Sequence, residues 1–252
     1  MVAWSKQRPR NKDMVTRRRF IVISSLVIAG ACLSIGYVTT KELEVTRLNL
    51  GLGRKIAFLT DLHIHEIDDV KEKVLNIVAN EQPDAILLGG DTVDALTFNM
   101  DVVKKYVSML EANEKFAVMG NHEYWSGKAE ELAGILKDNG FILLKDTFAQ
   151  ASFGRICGLD WREDRKYPEL RFDGLVIVHD PNAALSISGA RTILAGHTHG
   201  GVVIAGQTIY SNSVYVRGLY RLKDDGILYV SRGLGQMFPF RYTSSLELVI
   251  AE

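Results

Sequence analysis

Lys55-Ile56-Ala57-Phe58-Leu59-Thr60-Asp61-Leu62-His63 and Ala85-Ile86-Leu87-Leu88-Gly89-Gly90-Asp91-Thr92-Val93-Asp94 are two apolar runs of strand length, each running out into acidic or imidazole side chains. Between them Val70, Val74, Ile77 and Val78 recur at helical spacing, so Asp69 to Glu81 is predicted as a helix with one apolar face. A strand, a helix and a strand in that order mark an α/β protein. Further strand-length runs follow at Phe116 to Met119, Phe141 to Leu144, Leu175 to Val178 and Thr192 to Leu194. Helices are predicted over Asp101 to Ala112 and over Lys128 to Asn139, with Gly140 stopping the latter. Lys41 to Leu52 reads as a connector and first edge strand. The chain is therefore expected to be an α/β sandwich, a class in which ligands collect at the carboxyl ends of strands.

A length of 252 residues supports one substantial core, and no repeat divides it. Hydrophobic residues at 47% and charged residues at 24% argue against both disorder and a multispanning membrane protein. The first 40 residues differ from the rest. Seven basic residues, Lys6, Arg8, Arg10, Lys12, Arg17, Arg18 and Arg19, face the single acid Asp13 before Phe20, and Phe20 to Thr40 carries no charge. Thr16-Arg17-Arg18-Arg19-Phe20-Ile21 is similar to the twin-arginine export motif, and Ala29-Gly30-Ala31 follows the apolar run. Residues 1–40 are read as an export signal or a membrane anchor, and 41–252 as the folded domain; cleavage and retention both stay open. Either places the domain outside the cytoplasm, in the periplasm or at the outer face of the cytoplasmic membrane.

Without the leader the body has 23 basic and 29 acidic residues, so a basic surface for nucleic acid is not expected. Cys157 is the body's only cysteine, which excludes an internal disulfide there.

Three motifs beyond Asp61-Leu62-His63 and Gly90-Asp91-Thr92-Val93-Asp94 end predicted strands or follow them: Met119-Gly120-Asn121-His122-Glu123, Val178-His179 and Gly196-His197-Thr198-His199-Gly200. Singly, each is compatible with an ordinary turn or a helix cap. Together they hold five of the six histidines, whereas core histidines would scatter. Carboxylate, amide oxygen and imidazole are the donors that hard and borderline dications take, and a pair of cations needs one carboxylate to share.

The ordered series resembles the calcineurin-like metallophosphoesterase superfamily over about residues 54 to 252. The resemblance implies a sandwich of two mixed β-sheets flanked by helices, and two divalent ions, with manganese, iron and zinc all compatible with the donors. It assigns Asp61, His63 and His199 to the first ion, Asn121, His179 and His197 to the second, and Asp91 to both. It implies hydrolysis of a phosphoester by a water that the ions activate. His122 would act on the leaving oxygen or, more blandly, brace Asn121; Asp94 would orient His122, or merely cap a helix.

Ala95 stands where phosphoprotein phosphatases of the superfamily carry arginine, which disfavours a phosphoprotein substrate. His179-Asp180-Pro181-Asn182, Tyr229 to Gly235 and the leader resemble an exported bacterial branch that includes enzymes similar to UDP-2,3-diacylglucosamine pyrophosphatase. The expected reaction is hydrolysis of a phosphodiester or pyrophosphate, on an envelope lipid or lipid precursor. The expected partners are that substrate, the membrane surface and the twin-arginine export machinery. Arg232 is a candidate phosphate grip beside the apolar Leu234, Met237, Phe238, Pro239 and Phe240, although a buried strand explains that stretch as well. His65 is a candidate phosphate contact or a solvated loop residue. Other readings are a phosphomonoesterase or phosphoprotein phosphatase, and a non-catalytic envelope-binding protein that keeps metal for folding.

Overall fold

The computed structural model describes residues 21–27, 41–236, 241 and 243–252. Residues 21–27 form helix α1. The twin-arginine residues Arg17, Arg18 and Arg19, the small residues 29–31 and the apolar residues 237–240 lie outside the described residues. No helix among the described residues is long and apolar enough to cross a membrane.

The predicted strand, helix and strand unit forms as β2 (Ile56–Leu59), α2 (Asp69–Glu81) and β3 (Ala85–Gly89). Asp68 starts α2 by accepting from the Lys71 amide at 2.8 Å, which satisfies one of the donors left open in a first turn. β2 and β3 pair in parallel. Around them the first sheet is completed by β1 (Leu43–Leu48), β4 (Glu114–Val118), β5 (Ile142–Leu143) and β16 (Leu246–Ala251), in the order β1-β16-β2-β3-β4-β5. β1 sits at the edge as expected, and β16 runs antiparallel to β2.

The second sheet has the order β14 (Gly218–Arg221), β15 (Ile227–Val230), β11 (Thr192–Ala195), β9 (Leu175–Val178), β7 (Gly154–Leu159) and β6 (Thr147–Ala151). Its strands are parallel from β15 to β7, and both edge strands are antiparallel. Both sheets are thus mixed. Two short ribbons accompany them: β8 (Leu170–Arg171) with β10 (Ile187–Ser188), and β12 (Val202–Ile204) with β13 (Gln207–Tyr210).

Alternation along the strands builds the layers, because successive side chains point to opposite faces. Ile56, Phe58, Leu87 and Phe116 meet Ile156, Leu175, Ile177 and Leu194 between the sheets. Ala57, Leu59, Ile86 and Leu88 face the other way, onto Val74 and Val78 of α2, Tyr106 of α3 (Met100–Ser108) and Leu132 of α5 (Ala129–Asp138). The outer face of the second sheet, with Val176, Val178, Ile193 and Leu228, is covered by Ala183 and Ala184 in a 3-10 turn. Each of these fully buried aliphatic or aromatic side chains contributes roughly 1.5–3 kcal/mol relative to exposure.

The central parallel strands carry the motifs at their carboxyl ends. β2 runs into Thr60-Asp61, β3 into Gly90-Asp91, and β4 into Met119-Gly120 and the short helix α4 (Asn121–Trp125). From the other sheet, β9 runs into His179 and β11 into Gly196-His197. The sandwich brings these five ends together at one rim.

Candidate metal centre

Asp61, His63, Asp91, His197 and His199 all adopt left-handed backbone, with φ of 53°, 44°, 52°, 72° and 49°. Non-glycine residues rarely do so, and such strain persists only where surrounding bonds impose it. Here the imposing bonds are visible: the amides of Asp61 and His63 donate to the carbonyls of Gly90 and Asp91, at 2.9 and 3.0 Å. Asp61 and His63 are therefore not in extended chain; each turns into the left-handed region.

Two ligand groups result. Asp61, His63, Asp91 and His199 each present a donor atom such that all four lie within 4.8 Å of one another, and Asp91, His179 and His197 do the same. Asp91 belongs to both. Its Oδ2 lies 3.0 Å from Nε2 of His179 and 3.9 Å from Nε2 of His63. Asp61 Oδ1 lies 3.6 Å from Nε2 of His199. Glycines make this closeness possible: a Cβ at Gly120 would strike the Asp91 carboxylate, and one at Gly196 would strike Thr60 and Asp61.

The other ring nitrogens are fixed from behind. Nδ1 of His179 faces the Gly89 carbonyl at 2.9 Å, Nδ1 of His63 faces Asp94 at 2.9 Å, and Nδ1 of His199 faces the Gly235 carbonyl at 3.1 Å. The acceptors on His63 and His179 favour a proton on Nδ1, as metal-binding imidazoles are oriented, whereas Nδ1 of His199 also meets the Arg241 guanidinium at 3.0 Å.

Two buried atoms point to what is held. Nε2 of His63 and Oδ1 of Asn121 have no hydrogen-bond partner, although an unpaired buried polar atom ordinarily costs about 1–3 kcal/mol. Each faces a ligand position: His63 belongs to the first group, and Asn121 opens α4 beside Gly120, which packs against Asp91 and His179. Two carboxylates, four imidazoles and an amide oxygen fit divalent cations.

Without a cation, the imidazoles respond to the Asp91 charge and to burial, and any proton they hold must leave for a cation to bind. Burial opposes charge on His179, yet the Asp91 carboxylate outweighs it and raises His179 to about 10. His197 is pushed down to about 3 by burial and by the charge of His179, and His199 to about 3 by burial. Burial also lowers His122, whose ring stands edge-on to His63 with centroids 4.9 Å apart.

Three expectations about neighbouring residues need correction. Asp94 does not hold His122: its carboxylate is bonded to Nδ1 of His63 and to Nε2 of His65, each at 2.9 Å. His65 is consequently half-buried, with its Nε2 held by Asp94, and not a freely solvated loop residue. Arg232 is tied to Glu44 at 2.7 Å, Glu247 at 3.3 Å and Ser245 at 2.9 Å, so its fork is occupied by carboxylates. Leu234 beside it is fully buried in the helix-side core.

Two contributors were not assigned from sequence. Glu123 is buried and accepts from the amides of Gly120, Asp91, Thr92 and Val93 at 2.8, 3.0, 2.5 and 3.2 Å, tying the Asp91 loop to the Asn121 loop. Its place three residues after Gly120, at the third position of a helix, was the available signal. Buried Arg241 donates to the Gly235 carbonyl and lies 3.0 Å from Nδ1 of His199. Nothing local in the sequence marks it, because it reaches the site from 42 residues away.

Residues 54–201 match the family model described as calcineurin-like phosphoesterase, which is more than half of the chain. The chain belongs to the calcineurin-like phosphoesterase family. As a member it is a metal-dependent phosphoester hydrolase. An uncharacterized metallophosphoesterase of Campylobacter jejuni is 27% identical over 99% of this chain and 74% of its own length. One from Aquifex aeolicus is 29% identical, covering 82% of this chain and 88% of its own. The UDP-2,3-diacylglucosamine pyrophosphatase LpxG of Chlamydia trachomatis is 23% identical, over 82% of this chain and 88% of that protein.

Proposed function

We propose that this hydrolase uses two divalent cations to cleave a phosphodiester or pyrophosphate, and that its substrate is an envelope lipid or lipid precursor. The carrying observation is that two ligand groups share Asp91, while Nε2 of His63 and Oδ1 of Asn121 stand buried without partners. When bound, such a pair supplies an acidified water for in-line attack on phosphorus and stabilises the charge that develops there. Asp61, His63 and His199 would hold one cation, Asn121, His179 and His197 the other, and Asp91 both. Manganese, iron and zinc all suit these donors.

The remaining residues orient and protonate. Asp94 fixes the tautomer of His63, and the carbonyl of Gly89 does so for His179. His122 is half-buried and stands edge-on to His63, so its ring N–H would hydrogen-bond to the leaving oxygen and, when the ring is charged, give it a proton. The lipid reading draws support from the likeness to LpxG; the cavity of 660 Å³ beside His63 and His65 is mixed, with Ile67, Val70, Leu234 and Leu246 among charged residues that include Glu66, Asp68, Asp69 and Lys73. The uncharged run after the basic start supports export, with residues 1–40 as a signal or anchor and the domain in the periplasm or at the outer face of the cytoplasmic membrane.

Protein stripped with chelator should lose hydrolysis of bis(4-nitrophenyl) phosphate and regain it with Mn²⁺, and Asp91→Ala should abolish it. His122→Asn should keep its metal while turnover falls roughly 100- to 10,000-fold. Activity indifferent to chelator and to Asp91→Ala would overturn the proposal.

A further inference from the structure

Opposite the His63 side, the metal ligands are walled by two tryptophans. The Trp161 ring packs on His197 with centroids 5.2 Å apart and on His179 at 6.1 Å; Trp125, at the end of α4, packs edge-on to His122 at 5.4 Å and to Trp161 at 6.1 Å. Each indole thus touches a ring of the site on one side. Trp125 nevertheless leaves 59% of its surface to solvent, which is unfavourable for the largest apolar side chain.

The indoles are fixed in this arrangement. Glu163 Oε2 accepts from Nε1 of Trp125 at 2.9 Å and from Nε1 of Trp161 at 3.2 Å, so one carboxylate pins both. Tyr124, next to Trp125, donates to both oxygens of Asp160, at 2.7 and 2.6 Å, which ties α4 to the start of the same loop. The arginines of that loop bond to aspartates: Arg162 through Nη2 to Asp146 at 2.8 Å, and Arg165 to Asp180 at 2.7 and 2.6 Å. The wall therefore offers flat apolar faces and an exposed carboxylate to a ligand, and its loop arginines are already paired with aspartates. That combination suits a neutral ring bearing N–H or O–H donors and not a further phosphate.

We infer that Trp125 and Trp161, pinned by Glu163, form the subsite for an uncharged ring esterified to the scissile phosphate, a nucleobase-bearing nucleoside or a sugar. The inference rests on the hydrolase reading and adds the recognition of one arm of the substrate. The ring lies on the exposed face of Trp125, within one ring's width of His122, while its donors reach the free oxygen of Glu163. Stacking of this kind is sequence- and substituent-tolerant, so it selects a class of arm and not one molecule.

The test compares three methyl phosphodiesters whose second arm is adenosine, glucose or a plain ethyl group, with Mn²⁺-loaded full-length protein. The measured quantity is the ratio of kcat/KM for each ring-bearing ester to that for the ethyl ester, in which any general loss of activity cancels. In Trp125→Ala this ratio should fall roughly 5- to 150-fold, the loss lying in KM, and Trp125→Phe should restore most of it. A preference for adenosine identifies a nucleobase as the ring, and a preference for glucose identifies a sugar. A parallel titration follows tryptophan fluorescence with AMP; quenching should be clear in wild type and much smaller in Trp125→Ala. Equal rates on all three esters, or ratios unmoved by Trp125→Ala, would overturn the subsite while leaving the hydrolase reading intact. Should none of the esters be cleaved, the phosphodiester part of the proposed function fails, and the AMP titration still decides the subsite.

Discussion

Replacing Glu123 with glutamine tests whether the two aspartate-bearing loops are held by one buried carboxylate. Oε2 accepts from the amides of Gly120 and Asp91, and Oε1 from those of Thr92 and Val93. Glutamine keeps one acceptor oxygen and turns an NH₂ toward the other two amides, so two buried donors lose their partner and meet another donor. At about 1–3 kcal/mol for each unsatisfied group, Glu123→Gln should cost about 2–6 kcal/mol of folding stability. The loops concerned carry Asp91 and Asn121, so Mn²⁺ affinity should fall about 10- to 100-fold, as for other groups that orient metal ligands. Burial, followed by the Asp91 charge, raises Glu123 to about 7, so pH adds a second signature. Above 7 the wild-type carboxylate is ionised in the folded and unfolded chains alike, and the difference is smallest there. Below 7 it takes up a proton that the unfolded chain, with its lower pKa, does not bind until more acid conditions. That extra proton stabilises folded wild type, so the difference widens as pH falls from 7 to 5.5, by about 1.4 kcal/mol per pH unit. Urea denaturation of metal-free protein at pH 8.5 and 5.5, with calorimetric Mn²⁺ titration, measures both effects. A stability change below about 0.5 kcal/mol at pH 8.5, with unaltered Mn²⁺ binding, would refute the role assigned to Glu123.

Asp94→Asn leaves only one oxygen for the two imidazoles of His63 and His65, so Mn²⁺ affinity should drop about 10- to 100-fold and activity should return at high Mn²⁺; an unchanged binding isotherm would refute it. Lys71 is buried, donates to the Leu234 carbonyl at 3.1 Å, and is pushed down by burial to about 8. Between pH 8 and about 10.4 the unfolded chain binds a proton that the folded one lacks, so folding stability rises with pH in that window. Compared with Lys71→Met, wild type should gain about 3 kcal/mol from pH 7 to pH 11 in urea denaturation, and a pH-independent difference would exclude this account.

The parts of the fold legible in sequence were those with strong local periodicity. α2 has the predicted bounds because Val70, Val74 and Val78 repeat on one face and Asp68 caps its start. β2, β3, β9 and β11 were visible because strands buried on both faces read as continuous apolar runs. β6 and β14 were not: they are edge strands with solvent on one side, and Thr147-Phe-Ala-Gln-Ala151 and Gly218-Leu-Tyr-Arg221 carry no such run.

The candidate ligands divide the same way. The ordered motifs, through their resemblance to the metallophosphoesterases, supplied Asp61, His63, Asp91, Asn121, His179, His197 and His199, because each motif is short and follows an apolar strand. Which partner each accessory side chain takes was decided only in three dimensions. Asp94 lies three residues from Asp91, yet its carboxylate is 31 positions from its partner His63. Arg232 is adjacent to an apolar stretch in sequence but is claimed by Glu44, 188 positions away. Trp125 and Trp161 meet over one glutamate although 36 residues separate them. Hydrogen bonds and ring contacts act over a few ångströms, and the sheet register that sets those ångströms is a property of long-range pairing; spacing along the chain does not encode it.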